Sequence, residues 1–311
     1  MVARLAAFAI LALLAAVPAI SALLDQPFYL DIFGRAMVYA IAAISLNLIL
    51  GYGGLISFGH AAFIGIGGYA VGILSVNGID DVLLQWPVAI GAAGIFALLT
   101  GLVVLRTGGA HFIMITLAFA QMLFFLFTSL ELYGGDDGLS IPHRGTLAGL
   151  KVLDDPAALY YLILAVLAGA LALSARLVES RFGMVLRGCK SNERRMRALG
   201  FSTFRYKLAA YVFSGALCGF AGALLALKSE FVGPSVLHWS RSGELIVMVV
   251  MGGMGTVFGP LFGALAYLML SHFLGDLTKH WHVILGPVLI LIVLYARGGL
   301  AGLLARLGRR P

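Results

Sequence analysis

Ser57 and His60 stand three residues apart in the stretch GYGGLISFGHAAFIGIGGYA, residues 51–70, where seven of the twenty positions are glycine. On a helix that spacing puts both on one face with Phe63 and Ile64. An ionisable group inside an apolar run rarely faces lipid; it finds a polar partner or lines a cavity. The pair therefore either hydrogen-bonds across packed helices or borders a solute path. A nucleotide fingerprint is a poor third reading: Gly65, Gly67 and Ala70 follow no strand signal.

Other chemistry is sparse. There is no GxxxxGK[ST], HExxH or GxSxG in the chain, so nothing in it cradles ATP phosphates through a P-loop. The acids lie almost entirely in loops, which argues against an ion-coupled secondary carrier, whose sequence would carry intramembrane carboxylates. Cys189 and Cys218 form no CxxC or His/Cys cluster and read as structural residues.

The elements that position these groups are membrane spans. Of 311 residues, 61% are hydrophobic and 11% charged, against about 45–50% and 25% in soluble domains. Apolar runs fall near 5–24, 33–50, 55–76, 86–105, 110–130, 158–178, 208–228, 258–274 and 282–298, with a shorter one at 243–256 that reads as a broken or half-span helix. The run at 5–24 is too long for a signal peptide and reads as a retained first helix. In lipid each crossing must satisfy its own backbone groups, so these runs are helices. The expectation is an all-α, polytopic transmembrane bundle of about ten segments, some broken or short, forming one domain over 1–311.

Charge sets the orientation. With the loop 179–207 placed inside, 15 of the 21 Lys and Arg fall on inner regions, among them Arg4, Arg106, Arg297, Arg306, Arg309 and Arg310, while 12 of the 14 acids fall outside. That follows the positive-inside rule and puts both termini in the cytoplasm. No aromatic residues interleave with the basic ones on a solvated surface, so a nucleic-acid patch is disfavoured.

Glycine blocks mark close packing. Gly68 with Gly72, and Gly215 with Gly219, are GxxxG pairs, which let helix backbones approach. Gly51, Gly53 and Gly54 read as a turn or unwound stretch. Gly255, Gly259 and Gly263 recur every four residues and predict one helical stripe, kinked or broken by Pro260.

The inner loop RLVESRFGMVLRGCKSNERRMRALGFSTFRYKLAAYV carries the clearest polar pattern. Ser191 or Asn192 can cap a helix of about two turns, with Met196 and Leu199 on one face, ended by Gly200. A helix that short is marginal alone in water and needs a surface to pack on. It reads as a docking helix for a cytoplasmic partner, or as a basic loop resting on anionic lipid.

SLNLILGYGGLISFGHAAFIGIGGYA (45–70), HFIMITLAFAQ (111–121), GGDDGL (134–139), RRMRALGFSTFRYKLAAYVFSGALCGFAGAL (194–224) and GGMGTVFGPLFGA (252–264) together resemble the LivM-type permeases of branched-chain amino-acid importers of the ATP-binding-cassette class. The resemblance runs in order over essentially the whole chain. It implies a bacterial inner-membrane subunit that forms half of a translocation path beside a LivH-type permease. It further implies two cytoplasmic ATPases that hold ATP and magnesium, with no cofactor bound by this chain, and a periplasmic solute-binding protein. The segment 179–207 then matches the loop that couples to the ATPase, with Arg194 and Arg195 standing where the general importer motif has paired alanines. Urea and short-chain amide importers share this permease type. On this reading the chain is a non-catalytic transport subunit, in which Asn47, Ser57, His60, Thr116 and Gln121 border the solute path, and Glu193, Arg197, Leu199 and Gly200 couple to the ATPase.

Overall fold

The computed structural model describes residues 2–26, 28–147, 149–278, 280–295 and 298–307; Arg297, Arg309 and Arg310, counted above toward the inner side, lie outside the described residues. Its helices are α1 (Val2–Leu24), α2 (Phe28–Asn47, continued by a π-helical turn Leu48–Tyr52), α3 (His60–Val76), α4 (Val82–Val104), α5 (Ala110–Ser129), α6 (Pro156–Glu179), α7 (Arg181–Ala198), α8 (Thr203–Ser229), α9 (Trp239–Gly252), α10 (Gly259–Leu277), α11 (Trp281–Tyr295) and α12 (Gly299–Leu307). Short strands β1 (Leu139–Ser140) and β2 (Phe231–Val232) pair antiparallel, Leu139 opposite Val232. The chain is an all-helical, polytopic membrane protein.

Among the described residues, seven helices are long and apolar enough to cross a bilayer: α1, α2 with its π turn, α4, α5, α6, α8 and α10. The other apolar segments are shorter, with 17 residues in α3, 14 in α9 and 15 in α11. At 1.5 Å per residue, the 14 residues of α9 reach only about 21 Å of a ~30 Å hydrocarbon core.

Helix starts follow local chemistry. Asp81 caps α4 by accepting from the Leu83 amide at 3.0 Å, and Asp155 caps α6 by accepting from Ala157 at 3.1 Å, with Pro156 in the first turn. Among the spans, α2 is the most deeply buried; α8 packs against α2, α3 and α4, and α10 against α2 and α9.

The contact between α3 and α8 is backbone on backbone. A Cβ on Gly67 would strike the Gly219 carbonyl, and one on Gly222 would strike that of Ile64. The GxxxG pairs serve other neighbours: Gly68 and Gly72 meet Val232, Gly72 also meets Leu139, and Gly215 and Gly219 meet Ala97 and Ala93 of α4. The expected stripe through Gly255, Gly259 and Gly263 is not one helix. Gly255 sits in the 253–258 turn with φ +74°, and Pro260 falls in the first turn of α10, where it breaks nothing.

Candidate functional site

Two polar regions stand out, one buried in the bundle and one at its end. The buried one centres on His60, the first residue of α3 and wholly enclosed. Ser57 lies in the non-helical stretch before α3, so the pair does not share a helix face; they meet because the chain turns back, with His60 Nδ1 3.3 Å from Ser57 Oγ. His60 Nε2 lies 2.9 Å from Ser214 Oγ, and Ser214 donates to the Ser45 carbonyl at 2.6 Å. With its proton so committed, Ser214 must accept from the ring. His60 is then protonated on Nε2 and accepts from Ser57 on Nδ1, a pattern that fits a neutral imidazole.

Thr116 on α5 joins the same cluster: its hydroxyl accepts from the Phe58 amide at 3.1 Å and donates to the Ile113 carbonyl at 2.8 Å. Asn47 stands apart from it. Its side chain accepts from the Gly255 amide at 3.0 Å and donates to the Thr256 carbonyl at 2.9 Å, holding the turn between α9 and α10. Gln121, further along α5, has a buried Oε1 that meets no partner. So Ser57, His60 and Thr116 come together, and Asn47 and Gln121 do not join them.

This cluster lies within the apolar part of the bundle. Ser214 is eleven residues past the start of α8 at Thr203 and six residues into its apolar run 208–228, about 9 Å inside the span. Here α3 and α9 begin, and their N-termini meet: Ser242, in the first turns of α9, accepts from the Ala61 amide at 2.8 Å. From that point α3 runs toward the β1–β2 end, and α9 runs toward the α7 end. The pair behaves as two half-helices with irregular backbone before each, an arrangement tolerated at membrane depth only inside protein or along a cavity. Ser45, Ser214 and Ser242 were legible only as serines in apolar runs, the same signal that marked Ser57.

A cavity of about 240 Å³ opens beside this junction, lined by Arg35 and Tyr39 of α2, Gly68 of α3, and Arg241 and Glu244 of α9. Sequence reading assigned none of these to a site.

The second region is the hairpin of α7 and the start of α8. Asn192 breaks α7 with φ −157° and caps the next turn, its side chain accepting from the Arg195 amide at 3.0 Å. The terminal helix is thus 193–198, as expected, but it follows eleven earlier helical residues, 181–191. Gly200, at φ +86°, closes it: the Gly200 amide bonds the Arg197 carbonyl and the Phe201 amide that of Met196, a left-handed C-cap. Met196 packs back on Gly188, while Leu199 is 65% exposed.

Glu193 binds this helix to α8. Its carboxylate accepts from Arg197 at 2.6 Å, Thr203 at 3.1 Å and Lys207 at 2.5 Å. Partial burial pushes the carboxyl up, but Lys207, Arg197 and Thr203 outweigh it and hold Glu193 down to about 2. Lys190, in the first part of α7, donates to the Gly51 carbonyl at 2.7 Å, where α2 unwinds. Lys190 was one charge among many in the sequence; only the fold brings it to a residue 139 positions away.

Among the described residues no group of three or more His, Cys, Asp or Glu could hold a metal ion. Residues 28–294 match the model of the branched-chain amino acid transport system / permease component family. The chain is 28% identical to the high-affinity branched-chain amino acid transport system permease protein LivM of Escherichia coli, over 87% of this chain and 69% of that one. It is 24% identical to BraD of Pseudomonas aeruginosa over 85% and 91%, and 24% identical to LivH of E. coli over the same shares. No solved structure matches it. From residue 28 to 294, then, the chain belongs to the permease family of the branched-chain amino acid transport system.

Proposed function

We propose that this protein is the LivM-type half of an ATP-driven importer in a bacterial inner membrane, carrying branched-chain amino acids. Its partners are a LivH-type permease, two cytoplasmic ATPases that hold the ATP and magnesium, and a periplasmic solute-binding protein. The chain itself is non-catalytic. The seven long helices with α3, α9 and α11 make about ten membrane segments, and α7 and both termini face the cytoplasm.

The observation that carries this reading is the α7 hairpin. It is clamped to α8 by Glu193 and fastened to the unwound end of α2 by Lys190. A short helix capped at both ends and edged by the exposed Leu199 suits a groove on an ATPase. Glu193, Arg197, Leu199 and Gly200 are assigned to that contact. Motion there passes through Lys190 to Gly51, and through Asn47 to the turn before α10. Asn47, Ser57, His60, Thr116 and Gln121 border the moving path; their bonds join segments that must shift when access alternates.

The test is reconstitution of the four kinds of subunit in proteoliposomes. ATP-dependent uptake of L-leucine is expected from the complete set, and none from this chain alone. Gradient-driven accumulation by the isolated chain would sink the reading.

A further inference from the structure

The geometry points to the cavity at the α3–α9 junction as a transit site for an α-amino-acid zwitterion with an aliphatic side chain, its carboxylate on Arg241 and its ammonium on Glu244. This rests on the importer reading and names where in this chain the solute pauses.

Four features of the cavity support it. It carries both signs of charge side by side: Arg241 Nη1 lies 3.0 Å from Glu244 Oε2. Charged groups at membrane depth mark solute paths when they line a cavity, and these two do. Arg35, on the facing wall, adds a second guanidinium beside Tyr39. Below the serines at its rim the wall is largely apolar, with Ile64 of α3, Leu225 of α8 and Leu268 of α10. A zwitterion has no net charge, so it needs a donor and an acceptor of opposite sign close together, with an oily surface for its side chain. Urea or a simple amide carries no formal charge to match either ion, so the charge pair favours an amino-acid zwitterion over solutes without charged groups.

Place and size agree. The cavity is bounded by Ser229, Phe231 and Ser235 at the end remote from α7, the outer face on the orientation proposed. Arg241 is the neighbour of Ser242, which bonds the start of α3, so the charged floor reaches the depth of His60. A solute entering from outside meets the pair inside the span. The volume of about 240 Å³ lies below the ~300–1,000 Å³ of sites for drug-sized ligands and suits one small metabolite. When the site is empty Arg241 and Glu244 satisfy each other, so a zwitterion exchanges one ion pair for two contacts. Net binding is therefore weak, which lets the solute leave.

The test uses the complete transporter in proteoliposomes with L-leucine as the probe. Arg241→Gln and Glu244→Gln should each reduce uptake about tenfold at limiting leucine, the change made by losing one charge-assisted hydrogen bond, while binding-protein-stimulated ATP hydrolysis persists. Ser235→Trp, at the rim, should depress leucine uptake more than valine uptake. Wild-type uptake in the variants, or uptake and ATPase stimulation lost together, would overturn the site and show the pair to be idle or structural. So would an equal fall for both amino acids in Ser235→Trp. A wild-type complex that hydrolyses ATP yet carries no leucine would instead overturn the importer reading itself.

Discussion

Lys190 Nζ sits 2.7 Å from the carbonyl oxygen of Gly51, joining the α7 hairpin to the point where α2 changes from α to π winding. Helix C-termini leave carbonyls without intrahelical partners, and a lysine ammonium is the natural donor for one. Gly54, two positions past the end of the helical run at Tyr52, lies against the same side chain. Replacing Lys190 by Met keeps the stem and removes the donor. The expected result is that ATP hydrolysis continues while leucine uptake falls several-fold; parallel assays in proteoliposomes measure the ratio.

Gly200 is required by backbone geometry rather than by space. Its φ of +86° suits glycine, no atom lies near its missing Cβ, and its amide closes the cap on Arg197. Gly200→Pro imposes a φ near −65° and deletes that donor. Membrane insertion should be unaffected, and ATP hydrolysis should be uncoupled from uptake. Gly200→Ala, strained by about 1 kcal/mol, should show a milder form of the same defect. Normal coupled uptake in Gly200→Pro counts against the docking role of the hairpin.

Glu193 sets the acid limit of the hairpin. Its carboxyl is held at about 2, below the ordinary 4.5. A carboxyl whose folded value is depressed adds stability that is full above its unfolded value and disappears as the pH falls through the folded value. Its contribution is therefore constant from pH 5 upward and is lost between about 4.5 and 2. Glu193→Gln should loosen the hairpin at neutral pH, read as a lower protection factor for amide exchange over 193–200, and should remove the change in that protection factor across the acid window.

The α3–α8 crossing depends on the absence of two side chains. Gly67→Ala and Gly222→Ala each place a methyl group against a backbone carbonyl, which cannot swing aside as a side chain can. Overpacking of this kind typically costs about 1–3 kcal/mol. Both variants should lower the melting temperature of the detergent-solubilised protein. Gly169→Ala in α6, where nothing lies within 4 Å of the new methyl, should leave it unchanged.

His60→Leu separates packing from transport. It removes the acceptor for Ser57 and the donor to Ser214 in a wholly buried site. Loss of such buried bonds costs about 1–3 kcal/mol, visible as reduced thermal stability. If the variant, once assembled with its partners, takes up leucine at the wild-type rate, His60 holds helices together and does not serve the path.

The sequence by itself determined the class of the molecule. Long apolar runs, acids that lie almost entirely outside those runs and a basic segment at 179–207 fix a helical membrane bundle, because lipid tolerates few other backbones; Glu244, inside α9, is the exception that the structure places on a cavity. Local capping chemistry was equally legible: Asn192 and Gly200 delimit the terminal helix of the hairpin through bonds to residues within five positions. What spans the chain was not legible. Ser57 was read onto a helix because three-residue spacing mimics a helix face, whereas the chain turns there and α3 begins only at His60. The glycines at 255, 259 and 263 mimic a stripe in the same way, while Gly255 serves a turn held by Asn47. Tertiary structure alone decided that α3 and α9 meet within the apolar part of the bundle, that Lys190 reaches Gly51, and that Arg241 and Glu244 border a cavity. Periodicity reports which residues share an element; contacts between elements far apart in the chain depend on how whole helices pack, and no local spacing encodes that.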